Sequence, residues 1–152
     1  MPELTVSVDV EAPPQQVWRA LVDWERQGEW MPMTDVRVVG GDRHDVGGRI
    51  EARTGMPVGG GRHVGVLDAL EITGWYPPHR VEVLHTGRVV RGPGIFEVRS
   101  RAAGATVIWT ELLDLPLGAL GRQAWPVIKP AAAFVLRLGL NRFRDFARRY
   151  PD

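Results

Sequence analysis

Apolar and polar positions alternate at the start of the chain. Leu4, Val6, Val8 and Val10 fall on one face of a period-two run, the pattern of a half-buried strand. After Pro13 and Pro14, which suit a first helical turn where a missing N–H costs nothing, the period changes. Val17, Leu21 and Trp24 recur at helical spacing, with Trp18 and Val22 alongside. This predicts a helix over 16–24. A second short helical turn is expected over 27–31, stopped by Pro32.

The middle of the chain reads as strands separated by Gly and Pro. Val36 and Val38 mark one strand, and Ile50 and Ala52 the next. The run from His63 to Trp75 is long enough to carry a bulge. Val81 and Val83 mark a further strand, followed by strands over 95–101 and 106–115. Gly55 to Gly61 is expected to be a Gly-rich hairpin loop, Pro77-Pro78 a firm break, and Ala103-Gly104 a turn. Strand, helix, many strands, then helix is an α+β order with an antiparallel sheet.

The last element is a long amphipathic helix expected from Pro130 to Tyr150. Ala131, Phe134, Val135 and Leu138 share an apolar stripe, continued by Phe143 and Phe146. Phe134 and Leu138 are expected to face the sheet. Pro126 and Pro130 each remove a backbone donor, so Leu117 to Lys129 is expected to be irregular or a kinked prelude. A twisted sheet with one long helix to close around is a container.

Composition narrows the chemistry. A chain of 152 residues with 44% hydrophobic and 24% charged positions suits one soluble domain, here 1–152. There are no cysteines, which excludes disulfides, thiolate metal sites and thiol nucleophiles. A net charge of +1 gives no footprint for nucleic acid. No apolar run approaches the ~20 residues that span a bilayer. No leader pattern is visible at the N-terminus, so a cytoplasmic domain without stable membrane insertion is expected.

Four histidines, His44, His63, His79 and His85, show no metal-ligand spacing, and neither a metal nor a cofactor is expected. The 55–61 loop lacks the Gly-Lys-Ser/Thr ending and following helix of a phosphate cradle. His44 and His79 fall in turns and are expected to be solvated. His85 continues the alternation of Val81 and Val83 and is a candidate proton-transfer group; the competing reading is a strand-end histidine, hydrogen-bonded or wet. Glu111 shares a face with Val107 and Trp109. A carboxylate on an apolar face is a candidate general acid or base. The competing reading puts it at a rim or beside Arg91 or Arg99. Asp68 shares a nominal face with Val66 and Leu70, but a bulge would turn it outward, and it is not taken as a site residue.

Several motifs together resemble a family. The opening from Val6 to Pro32, with Val17-Trp18 and Trp30-Met31-Pro32, is similar to that of START-like (SRPBCC) helix-grip proteins. These form the polyketide cyclase/dehydrase and lipid-transport superfamily, which includes birch-pollen-type allergens. Val46 to Ile50, the hairpin Ile72 to Val83, and Gly104 to Glu111 are similar to further family segments. Ala105 stands where Thr is usual, and the double proline before the last helix is atypical. The resemblance implies a helix-grip fold: a seven-stranded curved antiparallel sheet around the C-terminal helix, two short helices after the first strand, and an apolar cavity. It implies a hydrophobic or amphipathic small molecule as partner. Trp30, Ile50, His85, Phe96, Trp109, Glu111, Phe134, Val135 and Leu138 are then the expected ligand-binding residues. The expected function is binding of an amphipathic, lipid-like or polyketide-like molecule. The alternatives are a polyketide cyclase or dehydratase using Glu111 and His85, and a protein-interaction module.

Overall fold

The computed structural model describes residues 2–115 and 118–151. Seven strands form one antiparallel sheet: β1 (Glu3–Val10), β2 (Thr34–Gly40), β3 (Arg49–Gly59), β4 (Arg62–Tyr76), β5 (Arg80–Thr86), β6 (Arg91–Arg101) and β7 (Gly104–Leu112). Their spatial order is β1-β7-β6-β5-β4-β3-β2. Sequential neighbours from β2 to β7 are therefore paired, and only the β1–β7 pairing is long-range. Helix α1 (Pro14–Leu21) and a 3-10 helix (Trp24–Glu29) follow β1, and α2 (Ala119–Arg148) is the long helix that the curved sheet grips.

The first strand has the burial its alternation predicts, with Leu4, Val6, Val8 and Val10 all inward. Trp24 opens the 3-10 helix and does not extend α1, so the second short helix begins three residues earlier than its expected span. β3 and β4 differ more from expectation. The hairpin loop expected from Gly55 to Gly61 shrinks to a turn at Gly60-Gly61: β3 continues to Gly59, pairing Gly55 with Gly65, Met56 with Val64 and Pro57 with His63. Two opposed glycines explain how the ladder continues. A Cβ on Gly55 would lie 2.2 Å from the Val64 carbonyl oxygen, and one on Gly65 2.1 Å from that of Thr54. The two backbones come closer than side chains permit. The bulge expected in β4 lies between Ile72 and Gly74.

Two expectations about α2 are corrected. The helix is continuous from Ala119 through Pro126 and Pro130; Leu117 itself lies outside the described residues. The prolines are four residues apart and both exposed. The backbone bonds they remove would have ended on the carbonyls of residues 122 and 126, along one solvent-facing line where water satisfies them. The stripe facing the sheet is Ala133, Leu136, Leu140, Phe143, Phe146 and Ala147. Phe134 is 67% exposed, and Leu138 also lies outward. Of the expected stripe, Phe143 and Phe146 are buried while Phe134 and Leu138 are not, and Gly139 lets the helix approach the Trp30-Met31-Pro32 segment closely. Gly139 has Met31 Sδ 2.7 Å from where a Cβ would sit.

At its far end α2 is tied to α1 by Gln16, whose side-chain amide donates to the Ala147 carbonyl at 2.8 Å, and just past both helices the Tyr150 hydroxyl donates to Asp23 at 2.7 Å. No helix of the described residues is long and apolar enough to cross a membrane.

Candidate functional site

Between the sheet and the middle of α2 lies a cavity of about 350 Å³. Leu4, Ala52, Trp109 and Leu113 form its sheet side, and Ala132, Val135 and Leu136 its helix side. A cluster of ionisable groups faces into it, Asp68 on β4, His85 on β5 and Glu111 on β7, and Gln27, Thr34 and Thr54 are the other polar residues of the wall.

The sheet register brings these three together. Leu70 pairs with His85, so Asp68, two residues away on the same face, sits diagonally beside the imidazole. His85 and Glu111 are separated by a whole strand, β6. They meet because the residue between them is Gly94, which pairs with Glu111 on one side and Val83 on the other. A Cβ there would lie 2.8 Å from Glu111 Oε2 and 3.1 Å from His85 Nε2. The missing side chain is the space through which the imidazole reaches the carboxylate.

The resulting chain of hydrogen bonds is short throughout. His85 Nδ1 is 2.7 Å from Asp68 Oδ1, and His85 Nε2 is 2.8 Å from Glu111 Oε2. The Trp109 indole N–H donates to Glu111 Oε1 at 2.7 Å. His85 and Glu111 are each only 6% exposed. The Asp68 side chain is 23% exposed, and its Oδ2 has no hydrogen-bond partner among the described residues. Burial alone would push the His85 imidazole down. The hydrogen bonds to Asp68 and Glu111, with the negative charge of both, overturn this and hold it up at about 10. His85 is therefore an imidazolium across the physiological range.

His85, next to last in β5, is buried and hydrogen-bonded on both nitrogens, which fits the strand-end, hydrogen-bonded reading as well as the proton-transfer one. Glu111 is buried and takes no arginine: Arg91 lies nearest Asp114 at 3.9 Å, and Arg99 pairs with Glu97 at 3.2 Å. Among the other expected binding residues, Trp109 and Val135 line the cavity. Trp30, Ile50 and Phe96 are buried in the hydrophobic core, with Phe96 stacked on Trp109 at 4.8 Å and Trp30 edge-on to Phe143 at 5.0 Å. Phe134 and Leu138 face outward, for the reason of helix phase given above.

Asp68 is the group set aside on sequence. The bulge that would have turned it outward lies beyond it, at 72–74, so the alternation through Val66, Asp68 and Leu70 holds. Gly94 was not singled out either; a Gly-Pro-Gly run inside a strand was its available signal. Elsewhere, His44 is exposed as expected but stacks on Trp75 at 5.4 Å, and His63 pairs with Asp35 at 3.2 Å. No group of three or more His, Asp or Glu among the described residues is arranged to hold a metal ion.

Solved structures share this architecture. Protein TTHA0849 from Thermus thermophilus superposes with a TM-score of 0.75 at 18% identity, over 96% of this chain and 97% of its own. A protein from Thermobifida fusca gives 0.70 at 22% identity, over 99% and 95%. The Aha1 dimer from Colwellia psychrerythraea gives 0.69 at 14% identity, over the full length of both chains. At such identities the likeness is one of fold. No curated protein matches the sequence. Residues 1–147, which hold every strand, the cavity and its polar cluster, match the family described as polyketide cyclase / dehydrase and lipid transport. The chain belongs to that family.

Proposed function

We propose that the protein binds one amphipathic, lipid-like or polyketide-like small molecule in the cavity between sheet and α2. The observation that carries the reading is the lining: a concave, mostly apolar space of about 350 Å³ with a few placed polar groups, the Asp68–His85–Glu111 cluster foremost. Small-molecule sites are mostly apolar, with a few placed polar groups, and range over about 300–1,000 Å³. This one is at the compact end. It suits a small ligand, or the polar end of a longer one whose tail leaves past α2.

The test is fluorescence titration with the neutral apolar dye Nile red. Saturable binding that changes tryptophan emission is expected. Ala132→Trp, which fills the cavity from α2, should abolish it with the circular dichroism unchanged. Absence of saturable binding by the folded wild type would dismiss the reading.

A second reading, a cyclase or dehydratase, is favoured by one observation: the buried Asp68–His85–Glu111 chain. There Asp68, the member with an unshared oxygen, would take a proton from a carbon beside a carbonyl, and His85 and Glu111 would hold it in position. Asp68→Asn would then remove turnover on a poly-β-keto substrate without removing Nile red binding.

A further inference from the structure

The polar groups of the cavity wall differ in what each has left to offer a ligand. Thr34 commits its hydroxyl hydrogen to the Pro32 carbonyl at 2.9 Å. The hydroxyl of Thr54, 2.8 Å away, therefore donates to Thr34. Trp109 commits its N–H to Glu111, whose two oxygens both have partners. Both nitrogens of His85 are occupied. What remains are acceptor lone pairs, above all Asp68 Oδ2. Among the described residues, Gln27 is the one lining side chain that retains donors. The buried Trp30 N–H, which has no partner, belongs to a residue outside the lining.

Charge points the same way. Two short contacts to His85 require two hydrogens. With both on the imidazole, between two carboxylates, the three groups together carry −1. No arginine or lysine among the described residues lines the cavity. A carboxylate or phosphate entering it would bury a second anion beside the first. Buried charge is tolerated only when paired, so a cation with N–H groups would supply what Asp68 lacks.

We propose that the cavity selects amphipathic molecules whose polar end donates hydrogen bonds, protonated amines above all, and excludes carboxylates and phosphates. This rests on the reading of the cavity as a ligand site, and specifies its ligand class. Asp68 is the residue that meets the polar end.

Octylamine, octanol and octanoate carry the same chain with a cationic donor, a neutral donor and an anionic acceptor at about pH 7. Each is titrated against Nile red bound to the wild-type protein. Octylamine should displace the dye with an affinity at least about tenfold above that of octanoate, with octanol between them. In Asp68→Asn the gap between amine and carboxylate should shrink by a similar factor, with octanol changing less than the amine. The wild-type ranking decides the matter whether or not that variant folds. Octanoate displacing as well as or better than octylamine would overturn the selectivity while leaving the binding reading intact. So would an amine preference undiminished in folded Asp68→Asn. Failure of Nile red itself to bind would overturn the binding reading, and the selectivity with it.

Discussion

Glu111 gives one carboxylate oxygen to the indole of Trp109 and the other to the imidazole of His85. An amide at this position keeps the shape but replaces one acceptor by a donor, so one of the two N–H groups must face an NH2. Glu111→Gln should therefore cost about 3–5 kcal/mol of stability, the range for breaking a buried charged pair. This is read from the denaturant midpoint. Folded Glu111→Gln should still bind Nile red, because the apolar lining is untouched; turnover lost with binding kept would favour the enzyme reading. At this scale the sequence was informative about direction and silent about partners. Alternation placed His85 and Glu111 inward, because each lies in a strand with one buried face. That they touch depends on a register across three strands and on Gly94, neither of which is a property of either residue's neighbours. Asp68 was readable by the same alternation, and was lost to a bulge correctly anticipated but placed too early.

The elements show where periodicity succeeds and where it slips. β1 and β7 alternate cleanly because each presents one face to the core. α2 offers two overlapping apolar stripes, and Phe134 and Leu138 lie on the outer one. Contact with the sheet is made by Ala133, Leu140 and Phe143, while Phe134, Val127 and Leu120 remain exposed. Phe143→Ala should cost about 3–5 kcal/mol, as for other buried phenylalanines. Phe134→Ala should stay within about 0.5 kcal/mol of wild type, as for exposed positions. Paired denaturant midpoints check the contrast, and equal losses would restore the other helix phase. The prolines misled for a related reason. Their cost is fixed by what the freed carbonyls face, and sequence does not show that both face solvent.

For the molecule as a whole, the α+β class and the sheet–helix container followed from element order, and the resemblance supplied the strand number. The shape and depth of the cavity did not follow, because they depend on how far α2 stands off the sheet. The charged imidazole inside it makes a global property measurable. Its folded-state value near 10 lies above the ordinary 6.5, so the stability it contributes is complete below about pH 6.5 and is lost as the pH rises through about 10. The denaturant midpoint should fall across that alkaline window by about 3–5 kcal/mol equivalent. His85→Leu should flatten the dependence, and a wild-type profile flat over the window would show that the imidazole is not held charged.

The same cluster has a bearing on how the chain folds. Its three members come from β4, β5 and β7, and the gap that joins two of them is in β6. No single hairpin contains the whole arrangement, and the β5–β6 hairpin alone contains only one of its titrating groups. Local pairing forms before contacts that must close long loops. The β4–β5 hairpin can join Asp68 to His85, but the second contact, to Glu111, waits for β6 and β7, so the full hold on the His85 proton is a late acquisition. In a refolding experiment it marks the moment four strands have come into register, as a spectroscopic signal at one atom rather than an average over the chain.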